Sequence, residues 1–137
     1  FTKAILNGNP IDVYNYGKMR RDFTYIDDLV EGITRLISKP PNTVPICDED
    51  SLSPVAPFRV VNIGNGTPAS LGDFISEIEV ATDLKAVKNM LPMQAGDVPA
   101  TWADTSLLEE LTGFKPKTDI ATGVQKFVDW YRDYFSV

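Results

Sequence analysis

The segment from Ile11 to Asp28, IDVYNYGKMRRDFTYIDD, holds the densest chemistry in the chain. Lys18, Arg20 and Arg21 cluster within it, although the whole sequence has only 13 basic residues against 19 acidic ones. A local group of cations on an anionic chain suits a phosphate-bearing ligand. The planar fork of arginine grips two phosphate oxygens at once, which fits a diphosphate. Tyr14 and Tyr16, just upstream, offer flat faces to a base or a sugar. Read from the residues alone, the segment equally fits a solvated hairpin whose arginines pair with Asp22, Asp27 or Asp28.

Two other segments carry polar chemistry. Gly64-Asn65-Gly66-Thr67-Pro68-Ala69 lies between an extended run and a helical one, as a dinucleotide fingerprint does. Pro68, however, removes a backbone N–H from a loop whose task is to offer N–H groups to phosphate. The glycines are better read as turn residues. Met93 to Asp104 is an irregular Gly- and Pro-bearing stretch in which Gln94 and Asp97 are placed to meet hydroxyls. Asp27 and Asp28 are neighbours on a helix and so point apart, a poor acid/base couple.

Composition removes whole classes of mechanism. The chain has 137 residues, no histidine and one cysteine. Ser-His-Asp and Cys-His catalysis and His-ligated zinc are therefore absent from this sequence, as is an internal disulfide. Cys47 stands beside Asp48, Glu49 and Asp50, where negative charge disfavours a thiolate. No catalytic, cofactor-binding or metal-ligating residue is assigned. The net charge of -6 and pI near 4.5 argue against a nucleic-acid partner. No apolar run reaches the ~18 residues of a membrane span. A cytoplasmic location is expected.

The elements that must position these residues follow from periodicity. Phe1 to Leu6 reads as the end of a helix stopped by Gly8, which suggests a larger protein cut at this point. Ile11–Asn15 and Arg21–Tyr25 read as extended, with a turn at Asn15–Lys18. Asp27 is expected to cap a helix to Ile37 with Leu29, Ile33, Leu36 and Ile37 buried. Residues 38–57 hold five of the ten prolines and the acidic run, and read as an exposed, flexible insertion. Arg59–Ile63 reads as a strand. Ser70 caps a helix to Ala81 with Leu71, Phe74, Ile75 and Ile78 as its stripe. Lys85–Leu91 is extended. Asp104 caps a short helix ended by Gly113, and Asp119 caps the last helix. The aromatic run Phe127, Trp130, Tyr131, Tyr134 and Phe135 of that helix is expected in the core.

The opening run FTKAILNGNPIDVYNYGKMRRDFTYIDDLVEGI resembles the NAD-dependent nucleotide-sugar epimerase/dehydratase family, the extended short-chain dehydrogenases. Further blocks agree in order: RVVNIGN at 59–65, NMLPMQAGDV at 89–98, WADT at 102–105, GFKP at 113–116 and FVDWYRDYF at 127–135. The likeness is strongest to the UDP-glucuronate 4-epimerase branch. It implies a mixed, helix-rich α/β fold: residues 1–137 as the C-terminal nucleotide-sugar-binding portion, without the Rossmann domain that binds NAD and without the catalytic Tyr-x-x-x-Lys pair.

The resemblance also implies that Arg21 holds the diphosphate of a UDP-sugar. Val13 and Tyr14 lie along the uridine, and Gln94 and Asp97 sit near the ribose and diphosphate. Galactose-type epimerases have arginine where this chain has Gln94, which leaves Arg21 as the main phosphate contact. The implied parent reaction is oxidation at sugar C4 and return of the hydride to the opposite face, with this part binding and positioning the substrate but inactive alone. A UDP-glucose 4-epimerase, a nucleotide-sugar dehydratase and a stand-alone nucleotide-sugar binding module are the alternatives. Exposure of faces meant for the Rossmann domain is expected to make the chain self-associate.

Overall fold

A computed structural model describes residues 1–137. In chain order the elements are α1 (Thr2–Leu6), β1 (Ile11–Val13), a 3-10 turn (Tyr14–Gly17), β2 (Arg20–Arg21), α2 (Ile26–Ile37), β3 (Ala69–Ser70), α3 (Leu71–Thr82), β4 (Lys88–Met90), β5 (Ala100–Thr101), α4 (Ser106–Thr112) and α5 (Ile120–Phe135). Helices dominate, and the strands are short. The residues form two compact units. One comprises Phe1–Arg21, Pro68–Thr101 and Asp119–Val137; the other comprises Asp22–Thr67 and Trp102–Thr118.

The first unit is built on α3. Ser70 is its N-cap, and the Ser70 hydroxyl accepts the Asp73 N–H at 3.0 Å. From α3, Ile75 and Ile78 meet Ile5 of α1, Ile11 and Val13 of β1, and Val124 and Val128 of α5 in one core. Each fully buried aliphatic of this kind contributes roughly 1.5–3 kcal/mol. Strand β1 alternates Ile11 in, Asp12 out, Val13 in, and pairs in parallel with β4. Strand β2 is sandwiched between antiparallel β3 and parallel β5. Asp119 caps α5 as its spacing predicts, its carboxylate accepting the Thr122 N–H at 2.8 Å.

The second unit packs α2 on α4, around the fully buried Leu108 and Pro116. Gly32 of α2 allows close approach: a Cβ there would lie 3.3 Å from Ile63 Cγ2. The Arg35 guanidinium sits 5.1 Å from the Phe114 ring centroid and also pairs with Glu31. Within the acidic insertion, Asp50 takes both forks of Arg59 at 2.7 and 2.8 Å and accepts the N–H groups of Ile46 and Leu52. The Arg59 guanidinium, with these N–H groups, holds the Asp50 carboxyl below the usual carboxylate range.

Several expectations change here. Helix α2 starts at Ile26 with Tyr25 as N-cap and no side-chain cap. Asp27 instead lies in the first turn, where it favours the helix dipole. Ile33 and Ile37 are exposed, and with Ile26 and Val30 they form an apolar stripe on α2 that the chain does not cover. Arg59–Ile63 forms no strand, because no strand pairs with it. Arg21–Tyr25 is regular only at Arg21. Asp104 lies just outside α4, whose N-cap is Thr105, yet its carboxylate accepts the Ser106 N–H at 2.9 Å. The aromatic run of α5 is not core: Phe127, Trp130, Tyr134 and Phe135 are exposed, because Val124 and Val128 take the inward face.

Glu79 of α3 is the buried carboxylate of the first unit. Lys88 Nζ lies 2.8 Å from it, Lys85 Nζ 3.1 Å, and the Ala86 N–H donates at 3.0 Å. Lys88 above all lowers its pKa from 4.5 to about 2. A depressed carboxylate stabilises the fold fully above pH 4.5, and that contribution is lost as the pH falls through 2. The Glu79→Gln variant is therefore expected to be less stable by about 1–3 kcal/mol at neutral pH. The gap to the parent should narrow in acid-unfolding curves. A pH-independent gap would show that the charge is not the source.

Candidate functional site

The cation-bearing strand is fixed from both sides. Arg20 N–H donates to Pro99 O at 2.8 Å, and the Met19 carbonyl accepts the Leu71 N–H at 2.7 Å. Successive strand residues point to opposite faces, so the two arginines part. Arg20 Nη2 reaches Pro68 O at 2.7 Å. Arg21 Nη1 donates to its neighbour's carbonyl, Arg20 O, at 2.8 Å and to Val98 O at 3.2 Å. No carboxylate stands within ion-pair distance of Lys18, Arg20 or Arg21. The self-paired hairpin that the residues alone permitted is not the arrangement adopted. The guanidinium groups are oriented by neutral carbonyl oxygens and keep their positive charge.

The carboxylates that were candidates to neutralise them are occupied elsewhere. Asp22 accepts three backbone N–H groups: Asn65 at 3.0 Å on one oxygen, and Gly66 at 2.9 Å and Ala103 at 3.1 Å on the other. Asp28 accepts Thr118 N–H at 2.8 Å and Lys117 N–H at 3.1 Å. Asp22, one of three carboxylates the residues alone allow as a partner for arginine, is instead an amide anchor. No local signal could reveal it, since its donors lie 43 to 81 positions away.

The aromatic side of the site lies on the turn after β1. Asn15, Tyr16 and Gly17 have φ of 48°, 50° and 79°, three left-handed residues in succession. Left-handed conformation is uncommon outside glycine, above all for a residue as bulky as tyrosine. The turn is held by Tyr16 N–H to Leu91 O at 3.1 Å and by Leu91 N–H to Val13 O at 3.0 Å. These bonds tie the Tyr14 turn to the segment that leads into Gln94, while Arg21 binds the far end of that segment at Val98. Tyr14, Arg21, Gln94 and Asp97 thus sit on three chain segments joined by hydrogen bonds within one unit. Gln94 and Asp97 are exposed, Tyr14 and Arg21 half-buried. Asp97 N–H closes a turn on Gln94 O. Val13 differs: its side chain is 1% exposed and belongs to the core. It presents no side chain to a ligand.

The glycine loop fails as a cofactor cradle. The Asn65 and Gly66 N–H groups already serve Asp22, Pro68 has none, and a Cβ at Gly64 would fall 2.6 Å from Asp22 Oδ2. Gly64 is needed for that close approach, not for a pyrophosphate. No group of three or more acidic or Cys side chains is placed to hold a metal ion. No helix is long and apolar enough to cross a membrane.

The fold is a mixed, helix-rich α/β arrangement whose short sheet carries an arginine that makes no ion pair. Known proteins share this chain's sequence and fold. Residues 1–64 match the NAD dependent epimerase/dehydratase family. A probable UDP-glucuronate 4-epimerase of Rhizobium meliloti (strain 1021) is 54% identical over 96% of this chain and 40% of its own length. UDP-glucuronate 4-epimerase 4 of Arabidopsis thaliana is 39% identical over 99% of this chain and 32% of its own length. The crystal structure of UDP-glucuronic acid 4-epimerase from Bacillus cereus in complex with UDP-glucuronic acid and NAD superposes with a TM-score of 0.78 at 28% identity. That match covers 97% of this chain and 38% of the other. The chain is a relative of the NAD-dependent nucleotide-sugar epimerases and dehydratases and corresponds to their C-terminal part. It spans about 40% of the length of the curated relatives it matches.

Asp22→Ala is expected to leave three backbone N–H groups without an acceptor and to destabilise the second unit by about 2–4 kcal/mol. Amide exchange at Asn65, Gly66 and Ala103 should accelerate together. Unchanged protection at all three would remove Asp22 from its anchoring role.

Proposed function

We propose that this chain is the nucleotide-sugar-binding part of a UDP-glucuronate 4-epimerase and is inactive by itself. The single observation that carries the reading is the orientation of Arg21. Its guanidinium is held by the carbonyls of Arg20 and Val98 and makes no ion pair, on a strand whose neighbouring segments carry Tyr14, Gln94 and Asp97. Charged N–H donors preorganised in this way suit a diphosphate, and a tyrosine face suits the uracil ring. Val13 contributes to that site only by fixing the turn. The Bacillus cereus structure holds UDP-glucuronic acid and NAD, which supports the same ligand class for the whole protein. In this reading NAD is bound by a part of that protein outside this chain. The acidic balance and the absence of a membrane-crossing helix favour a cytoplasmic setting without a nucleic-acid partner.

A second reading within the same family is a UDP-glucose 4-epimerase or a dehydratase. Structures named for those activities share the fold at 22% and 16% identity. Product analysis with the longer protein separates these. A stand-alone binding module is the remaining alternative, and it predicts the same affinity for UDP without any companion domain.

Arg21→Ala is expected to weaken UDP-glucuronic acid binding in the longer protein by about 1.5–3 kcal/mol, the range for a hydrogen bond to a charged group. Calorimetry reads this directly, and unchanged affinity removes Arg21 from the site. The chain alone, given NAD and UDP-glucuronic acid, is expected to give no epimer. Appreciable turnover contradicts the inactive half of the proposal.

The bare stripe of Ile26, Val30, Ile33 and Ile37 is also expected to make the chain self-associate. Sedimentation should show dimers or larger species, and the double variant Ile33→Glu/Ile37→Glu should show monomers. A monomeric parent at millimolar concentration would refute this.

A further inference from the structure

Helix α5 carries a second apolar surface, of another chemical kind and in the other unit. Phe127, Trp130, Tyr131 and Tyr134 recur at helical spacing, and their rings form a continuous series. Centroids are 5.7 Å apart for Phe127 and Trp130, 5.4 Å for Trp130 and Tyr134, and 6.4 Å for Trp130 and Tyr131. Trp130 is 52% exposed and Tyr134 68%. Single exposed apolar residues are ordinary, but a contiguous aromatic stripe marks a partner site. Spacing of this type is how a helix presents anchors to a binding partner.

The stripe is flanked by two carboxylates, with Lys126 the one cation on the same side of the helix. Asp129 and Asp133 precede Trp130 and Tyr134 along the helix and repeat at the same interval. Both are exposed. Asp129 accepts Gln125 Nε2 at 2.9 Å. Of the two cations of the helix, Arg132 is turned to the Thr82 carbonyl at 2.8 Å, and Lys126 lies one turn before Trp130. Aromatic faces alternating with exposed carboxylates match one side chain above others. Arginine stacks its planar guanidinium on an indole or phenol ring and donates from its edge to a carboxylate. A second copy of this chain is a poor occupant, because two such faces would bring their aspartate rows together on molecules of net charge -6. An anionic lipid surface is disfavoured for the same reason.

We propose that the aromatic stripe of α5 is a docking face for an arginine-bearing segment of a partner protein, with guanidinium groups lying on Trp130 and Tyr134 and donating to Asp129 and Asp133. This face is separate from the tyrosine–arginine site and does not depend on the ligand assigned there.

The test uses a synthetic peptide of four Arg-Ala repeats as the probe. In the Trp102→Phe variant, Trp130 is the only tryptophan, so its emission reports the stripe; in the unsubstituted chain its indole N–H resonance gives the same information. Saturable binding is expected, weakened about fivefold or more by Tyr134→Ala and by Asp129→Asn/Asp133→Asn. A Lys-Ala peptide of equal charge should bind more weakly. The control pair Asp73→Asn/Glu77→Gln, which removes the same charge from α3 and lies outside the stripe, should leave affinity within about twofold. Equal loss from the control pair would reduce the effect to bulk charge and overturn the proposal. So would a Trp130 signal that changes with protein concentration, without peptide, in the Ile33→Glu/Ile37→Glu background that removes the α2 stripe, since a second copy would then be the occupant of α5. Binding of anionic vesicles through Trp130 would overturn it as well.

Discussion

Arg21 and Asp22 are adjacent and opposite in charge, and the arrangement of the candidate site depends on their not pairing. The Asp22 carboxylate is filled by three backbone N–H groups, from Asn65, Gly66 and Ala103. Three amide donors satisfy a carboxylate without neutralising any side-chain cation. Arg21 is left to donate to two carbonyl oxygens, which orient its guanidinium but carry no net charge. A positive group fixed in direction and not neutralised is the element that an anionic ligand needs, and little of its attraction is lost to reorganisation. Were Asp22 paired with Arg21 instead, the glycine turn would lose its anchor and the site would lose its charge.

The same logic explains the glycines of the 64–66 turn. Their spacing imitates a dinucleotide cradle, but the N–H groups are turned onto a protein carboxylate. Gly64 is required because Asp22 approaches to where a Cβ would stand. A carboxylate here does for the backbone what a phosphate does in a true cradle, and so excludes one. Charge is managed similarly elsewhere: Asp28 holds the Lys117–Thr118 backbone, and Asp50 holds the insertion through Arg59. An acidic chain with few cations uses its aspartates as acceptors for its own loops.

Much of this was legible in the sequence, and what failed did so for identifiable reasons. Local chemistry read well: Ser70 and Asp119 cap their helices, and Ile75 and Ile78 form the core that helical periodicity marks. Gly113 ends α4 in the left-handed conformation. Features that depend on distant partners read poorly. Arg59–Ile63 has the pattern of a strand, yet β structure needs a second strand and none is supplied. The stripe Ile33 and Ile37 has the pattern of a buried face, yet nothing in the chain covers it. The aromatics of α5 look like core by type, but the helix has only one inward face and small aliphatics occupy it. In the candidate site, Tyr14, Arg21, Gln94 and Asp97 are marked by residue type and by family resemblance, and their segments are joined by backbone hydrogen bonds and by the Arg21 side chain. Val13 was marked as well, but strand alternation turns it inward. The left-handed run through Asn15 and Tyr16 had no sequence signal beyond Gly17.

The measurement that bears most directly on the account is an amide NMR titration of the chain with UDP. Shifts are predicted at Tyr14–Gly17, at Arg21 and across Gln94–Val98, with the amides of Asn65 and Gly66 undisturbed because Asp22 holds them. Shifts centred on Gly64–Ser70, with Arg21 and the Gln94 segment silent, would contradict it and return the phosphate to the glycine turn.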